Sequence, residues 1–380
     1  MPVVVIRALL FDFDGLLLDT ETPELVSWQE LWQEHGHPFP LERFLAGIGT
    51  VGGFGALDAL DELAGPLDRD SVGARHSARK LALIGIEELR PGVLEYLEEA
   101  RERDLRTAIV SSSSREWIDA HLERLERAQW FDVIVTGDHD RRRGKPRRTL
   151  FLEALKQLEV EPGEAVAFED SPNGVRAARA AGVFCVAIPN SVTANLGFDE
   201  ADLVCESLGQ LPLASLLDHL SRGSPAWSLR PATVADRDFL FEINRRTMRE
   251  YVEAVWGWDD AFQARFFDEH FDPGGNRQII QADRRDIGMV EVWDRPRDLL
   301  LASIRVLPEW QGRGIGSSIL RWLLGRSARA GKPVALRVLK VNERARRLYE
   351  REGFRTVDET ETHLRMVCDP AERSAEYSNS

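Results

Sequence analysis

Five short apolar runs separated by helix-periodic stretches constrain the first half of this chain more than any other feature. Residues 3–13 read as a buried strand, Val3-Val4-Val5-Ile6 and then Ala8-Leu9-Leu10-Phe11, ending at Asp12. Similar runs follow at Thr107–Val110, Val133–Val135, Ala165–Phe168 and Val183–Ile188. Strands this apolar must be covered on both faces, and a parallel sheet between helical layers does that. An α/β domain is therefore expected. Ser113-x-x-Glu116, followed by Ile118, Leu122 and Leu125 at helical spacing, predicts a capping box opening one of its helices.

Between the first two runs lie about 75 residues, roughly 16–90, with helical periodicity and no strand pattern. A crossover helix needs far fewer. The segment is expected to form a small helical cap over the carboxyl edge of the sheet. The alternation stops near Ser221-Arg-Gly-Ser-Pro225, a turn-rich stretch that reads as a linker. Beyond it the order changes to helices near 236–252 and 259–270, a strand meander near 278–306, a glycine-rich turn and another helix. The expected domains are 1–220 and 228–369, joined by a linker over 221–227, with a frayed polar tail at 370–380.

At 380 residues the chain exceeds one typical core, which agrees with two domains. Its 49 basic against 63 acidic residues give a net charge of -14, which disfavours nucleic acid and anionic membrane as partners. Cys185, Cys205 and Cys368 are widely spaced and suggest neither a disulfide framework nor a thiolate metal site, as a reducing cytoplasm would allow. Met1–Leu10 lacks the residue order of a signal peptide, and no run reaches the roughly 20 apolar residues of a membrane span, so neither export nor spanning is expected.

Polar residues gather where the apolar runs end. Phe11-Asp12-Phe13-Asp14-Gly15 puts two carboxylates at the end of the first run, at the edge where open parallel sheets bind ligands. Ser111 follows the second run, Lys145 lies in Gly144-Lys145-Pro146 after the third, and Glu169-Asp170 follow the fourth. A D-x-D-G alone could be a turn; four polar groups on one edge are not expected by chance.

The order D-x-D-G-x-x-x-D, serine after a strand, G-K-P, then E-D-S-x-x-G-x-x-A-A-x-A-A-G resembles the haloacid dehalogenase superfamily over about residues 5–215. The early cap resembles its phosphatase and β-phosphoglucomutase branch. The resemblance implies a Rossmann-like sheet with a helical cap, with Asp12 as the nucleophile that becomes an aspartyl phosphate and Asp14 as general acid and base. It further implies that Ser111 and Lys145 hold the phosphoryl oxygens, and that Asp12, Asp170, Glu169 and the carbonyl of Asp14 bind Mg²⁺. The chemistry is coherent, because a carboxylate can split phosphoryl transfer into two displacements if nearby cations offset its repulsion from the phosphate. True dehalogenases lack the second aspartate, so Asp14 favours phosphoryl chemistry. Arg147-Arg148-Thr149 departs from the usual small or acidic stretch after G-K-P. With Arg141-Arg142-Arg143 these arginines form a basic run that is either a solvated loop or an attractor for a phosphorylated substrate. Gly47-Ile48-Gly49-Thr50 in the cap is either a turn or a contact to the leaving group.

In the second half, Ile304-Arg305-Val306 ends a strand and Gln311-Gly312-Arg313-Gly314-Ile315-Gly316 opens a helix. Glycines there leave backbone N–H groups free to cradle a pyrophosphate. A dinucleotide site would place its glycines after the first strand of a parallel unit, whereas these come late, after a meander. With the strand Pro333–Val338 and the helix Asn342–Gly353, the pattern resembles the GCN5-related N-acetyltransferases over roughly 228–368. The resemblance implies a mixed α+β fold and acyl-CoA binding by Val306, Gln311, Gly312, Arg313, Gly314, Ile315 and Gly316, with Asn342 near the pantetheine arm. Tyr349 would protonate the departing thiolate. Glu291 and His363 are the alternatives for a base, and Trp256-Gly257-Trp258-Asp259 is either an acceptor wall or tryptophan packing.

The expectation is a bifunctional enzyme: a Mg²⁺-dependent phosphatase of a phosphorylated small molecule, fused to an acyltransferase using acetyl-CoA or another acyl-CoA on a small amine. Two alternatives stay open. The first domain could be a phosphomutase, or one domain could be catalytically idle and regulatory. The identities of ester, amine and acyl chain, and the oligomeric state, are left open.

Overall fold

A computed structural model describes residues 5–49, 53–272, 276–283 and 285–369, and the chain divides into two compact units, Met1–Gln210 and Leu211–Ser380. In the first, β1 (Ala8–Phe11), β2 (Arg106–Ser111), β3 (Val133–Thr136), β4 (Ala165–Glu169), β5 (Phe184–Ala187) and β6 (Leu203–Val204) form one parallel sheet. Its order is β3-β2-β1-β4-β5-β6. The first strand starts at Ala8, where pairing with Arg106 and Ala165 begins. Val5, expected inside it, is exposed, and Val3 and Val4 lie outside the described residues. The sheet is wholly apolar at its centre, with Leu9, Leu10, Phe11, Val166 and Phe168 buried. Leu150, Phe151 and Leu155 of α7 (Thr149–Leu158) and Ala177 and Ala178 of α8 (Pro172–Ala180) pack in one core layer with it.

The segment between β1 and β2 is helical, as its periodicity predicts: α1 (Glu21–Glu34), α2 (Leu41–Gly47), α3 (Ala56–Ala64) and α4 (Arg69–Ile84), with α5 (Val93–Glu102) leading back to the sheet. The cap has its own core of Trp28, Leu31, Trp32, Leu60 and Val72. The helix after β2, α6 (Arg115–Arg124), begins one residue later than its sequence pattern suggests. Ser114, not Ser113, is the N-cap, and its hydroxyl accepts the Trp117 N–H at 3.3 Å.

In the second unit, a seven-stranded sheet runs β12-β13-β11-β10-β9-β8-β7. Its strands are β7 (Ser228–Pro231), β8 (Arg277–Ala282), β9 (Arg285–Asp294), β10 (Leu299–Val306), β11 (Val334–Leu339), β12 (Arg355–Glu359) and β13 (His363–Cys368). Neighbours are antiparallel except β10 and β11, which pair in parallel only from Leu299↔Val334 to Leu301↔Leu336. Beyond Leu301, β10 continues to Val306 with β9 as its partner, past a register shift between Leu301 and Ser303. The helices are α9 (Leu213–Arg222), α10 (Arg237–Trp256), α11 (Asp260–Glu269), α12 (Ile315–Ala330) and α13 (Glu343–Arg351).

Helix α9, expected to close the first domain at 220, belongs to the second unit instead. It packs on α12; Asp218 accepts a 2.7 Å hydrogen bond from Arg321, and the Ser215 hydroxyl donates to the Trp227 carbonyl at 2.8 Å. An apolar helix face settles where it is covered, whatever the turn residues beyond it suggest. Among the described residues no helix is long and apolar enough to cross a membrane. The tail at 370–380 lies outside the described residues.

Candidate active sites

In the first sheet the strand order reverses between β1 and β4, which opens a crevice at their carboxyl ends. Asp12 follows β1 directly, Glu169 ends β4, Asp170 comes next, Ser111 ends β2, and Lys145 lies between β3 and α7. The fold brings them together. Lys145 Nζ stands 2.5 Å from Asp12 Oδ1 and 2.7 Å from Glu169 Oε1, with all three side chains buried. Asp12, Glu169 and Asp170 each offer a carboxylate oxygen within 4.8 Å of the others.

Burial raises the pKa of Asp12 against the pull of Lys145, and it pushes Glu169 and Asp170 well above the usual carboxylate range, with Asp12 adding repulsion. Burial works against the Lys145 charge too. The attraction of Asp12 and Glu169 outweighs it, so the ammonium holds its proton more tightly than a free lysine. Glu21, at the start of α1, is pushed up to about 8 by burial and by Asp14.

Asp14 is held differently. Its carboxylate accepts hydrogen bonds from Ser113 Oγ at 2.6 Å, Trp117 Nε1 at 2.9 Å, Thr20 Oγ1 at 3.1 Å and Ser111 Oγ at 3.4 Å. Its side chain is not among the clustered carboxylates. The Gly15 carbonyl beside it accepts from Arg90 and from Asn190 Nδ2, and the same Asn190 amide donates to Asp170 Oδ2 at 2.7 Å.

The buried Glu169 Oε2 receives no hydrogen bond. A Cβ at Gly174 would collide with it, and one at Gly15, where φ is 74°, would collide with Asp170 Oδ2. An all-oxygen, carboxylate-rich cluster with an orphaned buried oxygen fits a hard divalent cation.

A cavity of about 340 Å³ opens over the cluster, lined among others by Asp12, Asp14, Glu21, Lys80, Trp117 and Lys145. Beside it a hollow of about 800 Å³ is lined by Arg43, Phe54, Arg141, Lys145 and Arg147. The basic run therefore divides: Arg141 and Arg147 face this hollow, whereas Arg142 pairs with Asp140 and Arg143 with Glu153. Arg148 immediately precedes α7, so the departure after Gly-Lys-Pro does not prevent helix entry. Gly49 lines the smaller cavity and Gly47 the larger; Thr50 lies outside the described residues. The sequence pattern marks Ser113 only as a helix cap and does not single out Thr20, Trp117, Glu21, Asn190 or Arg90. Asn190 was within reach of the strand-end rule that marks Asp170, because it follows the Val183–Ile188 run. Trp117 and Thr20 reach Asp14 only through the direction of α6 and the cap entry.

In the second unit Gly312 and Gly314 adopt positive φ of 77° and 87°, and Gly314 is the N-cap of α12. Gln311 Nε2 donates to the Val306 carbonyl at 2.7 Å, which ties the end of β10 to this turn. Asn342 caps α13 through the Ala345 N–H at 3.0 Å. Tyr349 is buried on α13, and burial pushes its phenol up to about 12, with Arg305 pulling the other way.

Both oxygens of Glu291 are engaged, one by Arg277 at 3.0 Å and the other by Trp293 Nε1 at 3.0 Å. Burial lowers the pKa of His363, whose Nδ1 meets Thr362 Oγ1 at 2.8 Å. In the segment Trp256–Asp259, Trp256 is exposed near His363, Trp258 Nε1 donates to Asp260, and Asp259 caps α11. The two base candidates line separate cavities: Glu291 one of about 320 Å³, with Asn244, Phe266, Arg277, Ser303 and Arg305, and His363 one of about 390 Å³, with Leu300, Arg337 and Arg365.

The family described as haloacid dehalogenase-like hydrolase matches residues 6–182, and the Acetyltransferase (GNAT) family matches residues 238–354. The Bacillus subtilis (strain 168) protein named "Putative phosphatase YhcW" is 42% identical over 218 residues, covering 57% of this chain and 99% of that protein. The Thermotoga maritima protein named "Phosphorylated carbohydrates phosphatase" is 31% identical over 179 residues, covering 47% of this chain and 82% of its own length. A crystal structure of CbbY from Rhodobacter sphaeroides in complex with phosphate is 30% identical and covers 54% of this chain and 96% of that one, with a TM-score of 0.45. With two family matches on two separate units, the chain belongs to the haloacid dehalogenase-like hydrolases and carries, in the same polypeptide, an acetyltransferase domain of the GNAT family.

Proposed function

We propose that the first domain hydrolyses phosphate monoesters of small molecules through an aspartyl phosphate on Asp12, and that the second transfers an acyl group from acyl-CoA to a small amine. The observation that carries the first half is the buried Lys145 ammonium held between Asp12 and Glu169. It leaves Asp12 oriented and partly compensated, as attack on an anionic phosphoryl group requires.

In this reading an Asp12 oxygen forms the bond to phosphorus as the ester P–O bond breaks. Asp14 gives its proton to the departing alkoxide and then takes one from the water that releases phosphate. Ser113, Thr20 and Trp117 orient the Asp14 carboxyl, while Ser111 and Lys145 face the phosphoryl oxygens. Asp12, Asp170 and the carbonyl of Asp14, with Glu169 beside them, would hold magnesium, which when bound supplies positive charge against the phosphoryl oxygens.

For the second domain, Val306 and the Gln311–Gly316 turn would hold the pyrophosphate and pantetheine. The early end of β10–β11 pairing supports this, because it leaves the strand edge beyond Leu301 free of β11. Tyr349 retains its proton at neutral pH and would give it to the thiolate. The three buried thiols, Cys185, Cys205 and Cys368, support a reducing compartment such as the cytoplasm.

A panel of phosphate esters with Mg²⁺, run beside amines with acetyl-CoA, tests both halves. Inorganic phosphate accumulating steadily with time, and lost in Asp12→Asn, is expected. Phosphate moved within the substrate without release would instead identify a mutase.

A further inference from the structure

The 320 Å³ cavity of the second unit contains a charge arrangement that acyl-CoA binding does not use. Its sheet wall is formed by Arg277 of β8, Met289 and Glu291 of β9, and Ser303 and Arg305 of β10. Arg277 is paired with Glu291. Arg305 is not paired: its Nε is buried without a hydrogen-bond partner, and the contact of its Nη1 is the Met289 sulfur at 3.9 Å. Among the described residues no carboxylate lies within ion-pair distance of it. Burial, with Arg277 nearby, lowers its pKa to about 10, which leaves the guanidinium charged at neutral pH. A buried cationic donor without a partner is costly in a folded protein unless a ligand completes it.

Two guanidiniums and one carboxylate leave this lining with an excess positive charge, in a chain whose net charge is -14. The register sets the spacing. Glu291 stands opposite Ser303 and Arg305 opposite Met289, so Glu291 and Arg305 are diagonal neighbours on one face. A carboxylate acceptor and a cationic donor thus face the same small space. Met248, Phe266 and Phe267 supply apolar walls.

We propose that the acyl acceptor is a small amine bearing a carboxylate, with its anion on Arg305 and its ammonium against Glu291. This presupposes the acyl transfer proposed above. A carboxylate matches the planar guanidinium fork and supplies the one negative charge that the unpaired Arg305 lacks, Arg277 being already paired with Glu291. In the transfer the ammonium first loses a proton to solvent. The amine nitrogen then bonds to the thioester carbonyl carbon, the C–S bond breaks, and the thiolate takes the Tyr349 proton. The second proton shed by nitrogen restores the phenol through solvent. The products are an N-acyl amino acid and free thiol.

The test uses the full chain with acetyl-CoA and follows thiol release with leucine, leucinamide, ethanolamine and O-phosphoethanolamine. The expected result is kcat/KM for leucine at least about tenfold above leucinamide and above O-phosphoethanolamine. In Arg305→Gln that preference should collapse toward one, chiefly through KM, and Arg305→Lys should recover part of it. Equal use of leucine and leucinamide by the native enzyme, or preference for O-phosphoethanolamine, would overturn the inference. A leucine preference unchanged in Arg305→Gln would also overturn it. If Arg305→Gln melts below the assay temperature, the native ratios decide alone. No thiol release with any amine, despite acetyl-CoA binding measured by calorimetry, would overturn the acyl transfer itself, and this inference with it. Acylation of amines without regard to charge would overturn only this inference.

Discussion

Lys145 Nζ lies 2.5 Å from Asp12 Oδ1 across a separation of 133 residues, and on its other side Glu169 Oε1 is 2.7 Å away. One buried ammonium thus offsets two carboxylates that would otherwise repel. Lys145→Met is expected to abolish phosphate release and to destabilise the first domain by about 3 kcal/mol or more, since losing one member of a buried ion pair strands the rest. Asp12→Asn keeps the shape and removes one negative charge, so it should abolish turnover while the domain stays folded. Phosphate assays and scanning calorimetry on the two variants separate these outcomes.

A divalent cation should stabilise the first domain. At about 100 times its dissociation constant, Mg²⁺ would add roughly 2.7 kcal/mol, read as an upward shift of the first unfolding transition. The metal-free protein should behave in the opposite sense. Because burial raises the Asp170 pKa well above its unfolded value of 3.8, the native state binds more protons, and stability falls as pH rises above about 4. Asp170→Asn is therefore expected to melt higher than the native protein without Mg²⁺ and to show no shift when Mg²⁺ is added.

Ser113 and Ser114 adjoin but have separable tasks. Ser114→Ala removes the α6 cap and should cost about 1 kcal/mol in denaturant titration with turnover nearly unchanged. Ser113→Ala removes the 2.6 Å donor to Asp14 and should lower kcat roughly tenfold with little effect on stability. If both variants lose turnover equally, Asp14 is not oriented through Ser113.

Tyr349 has a phenol pushed up to about 12 by burial, so it stays protonated throughout the ordinary assay range. The kcat of acyl transfer should accordingly show no fall between pH 8 and about 10 that is due to this group. Tyr349→Phe is expected to lower kcat by roughly 10²-fold while leaving the affinity for acetyl-CoA nearly intact, as thiol-release kinetics and calorimetry would read.

The strand-end residues Asp12, Ser111, Glu169 and Asp170 were legible in the sequence because a parallel sheet carries the ends of its strands to one edge wherever they fall in the chain. Lys145 was legible beside glycine and proline in a loop that returns to that edge. The capping-box pattern points to Ser113, because Glu116 stands three residues after it, whereas Ser114, the N-cap of α6, has Trp117 at that place. The choice between them is made by where the α6 axis points, which local spacing does not encode. The α9 boundary was misplaced for a related reason: turn residues mark where a chain bends, while burial against α12 decides which core a helix joins.

The amino-acid order by itself determined two unlike domains, the parallel sheet, the helical cap and the acidic strand ends, all of which follow from periodicity and from residues adjacent in sequence. Only the tertiary structure decided that Asp14 is clasped by Ser113, Thr20 and Trp117, that Glu291 is taken up by Arg277, and that Arg305 is left without a carboxylate. Those outcomes depend on strand register and helix direction, which bring side chains from separate elements within about 3 Å, and no local pattern of residues specifies a distance across a fold.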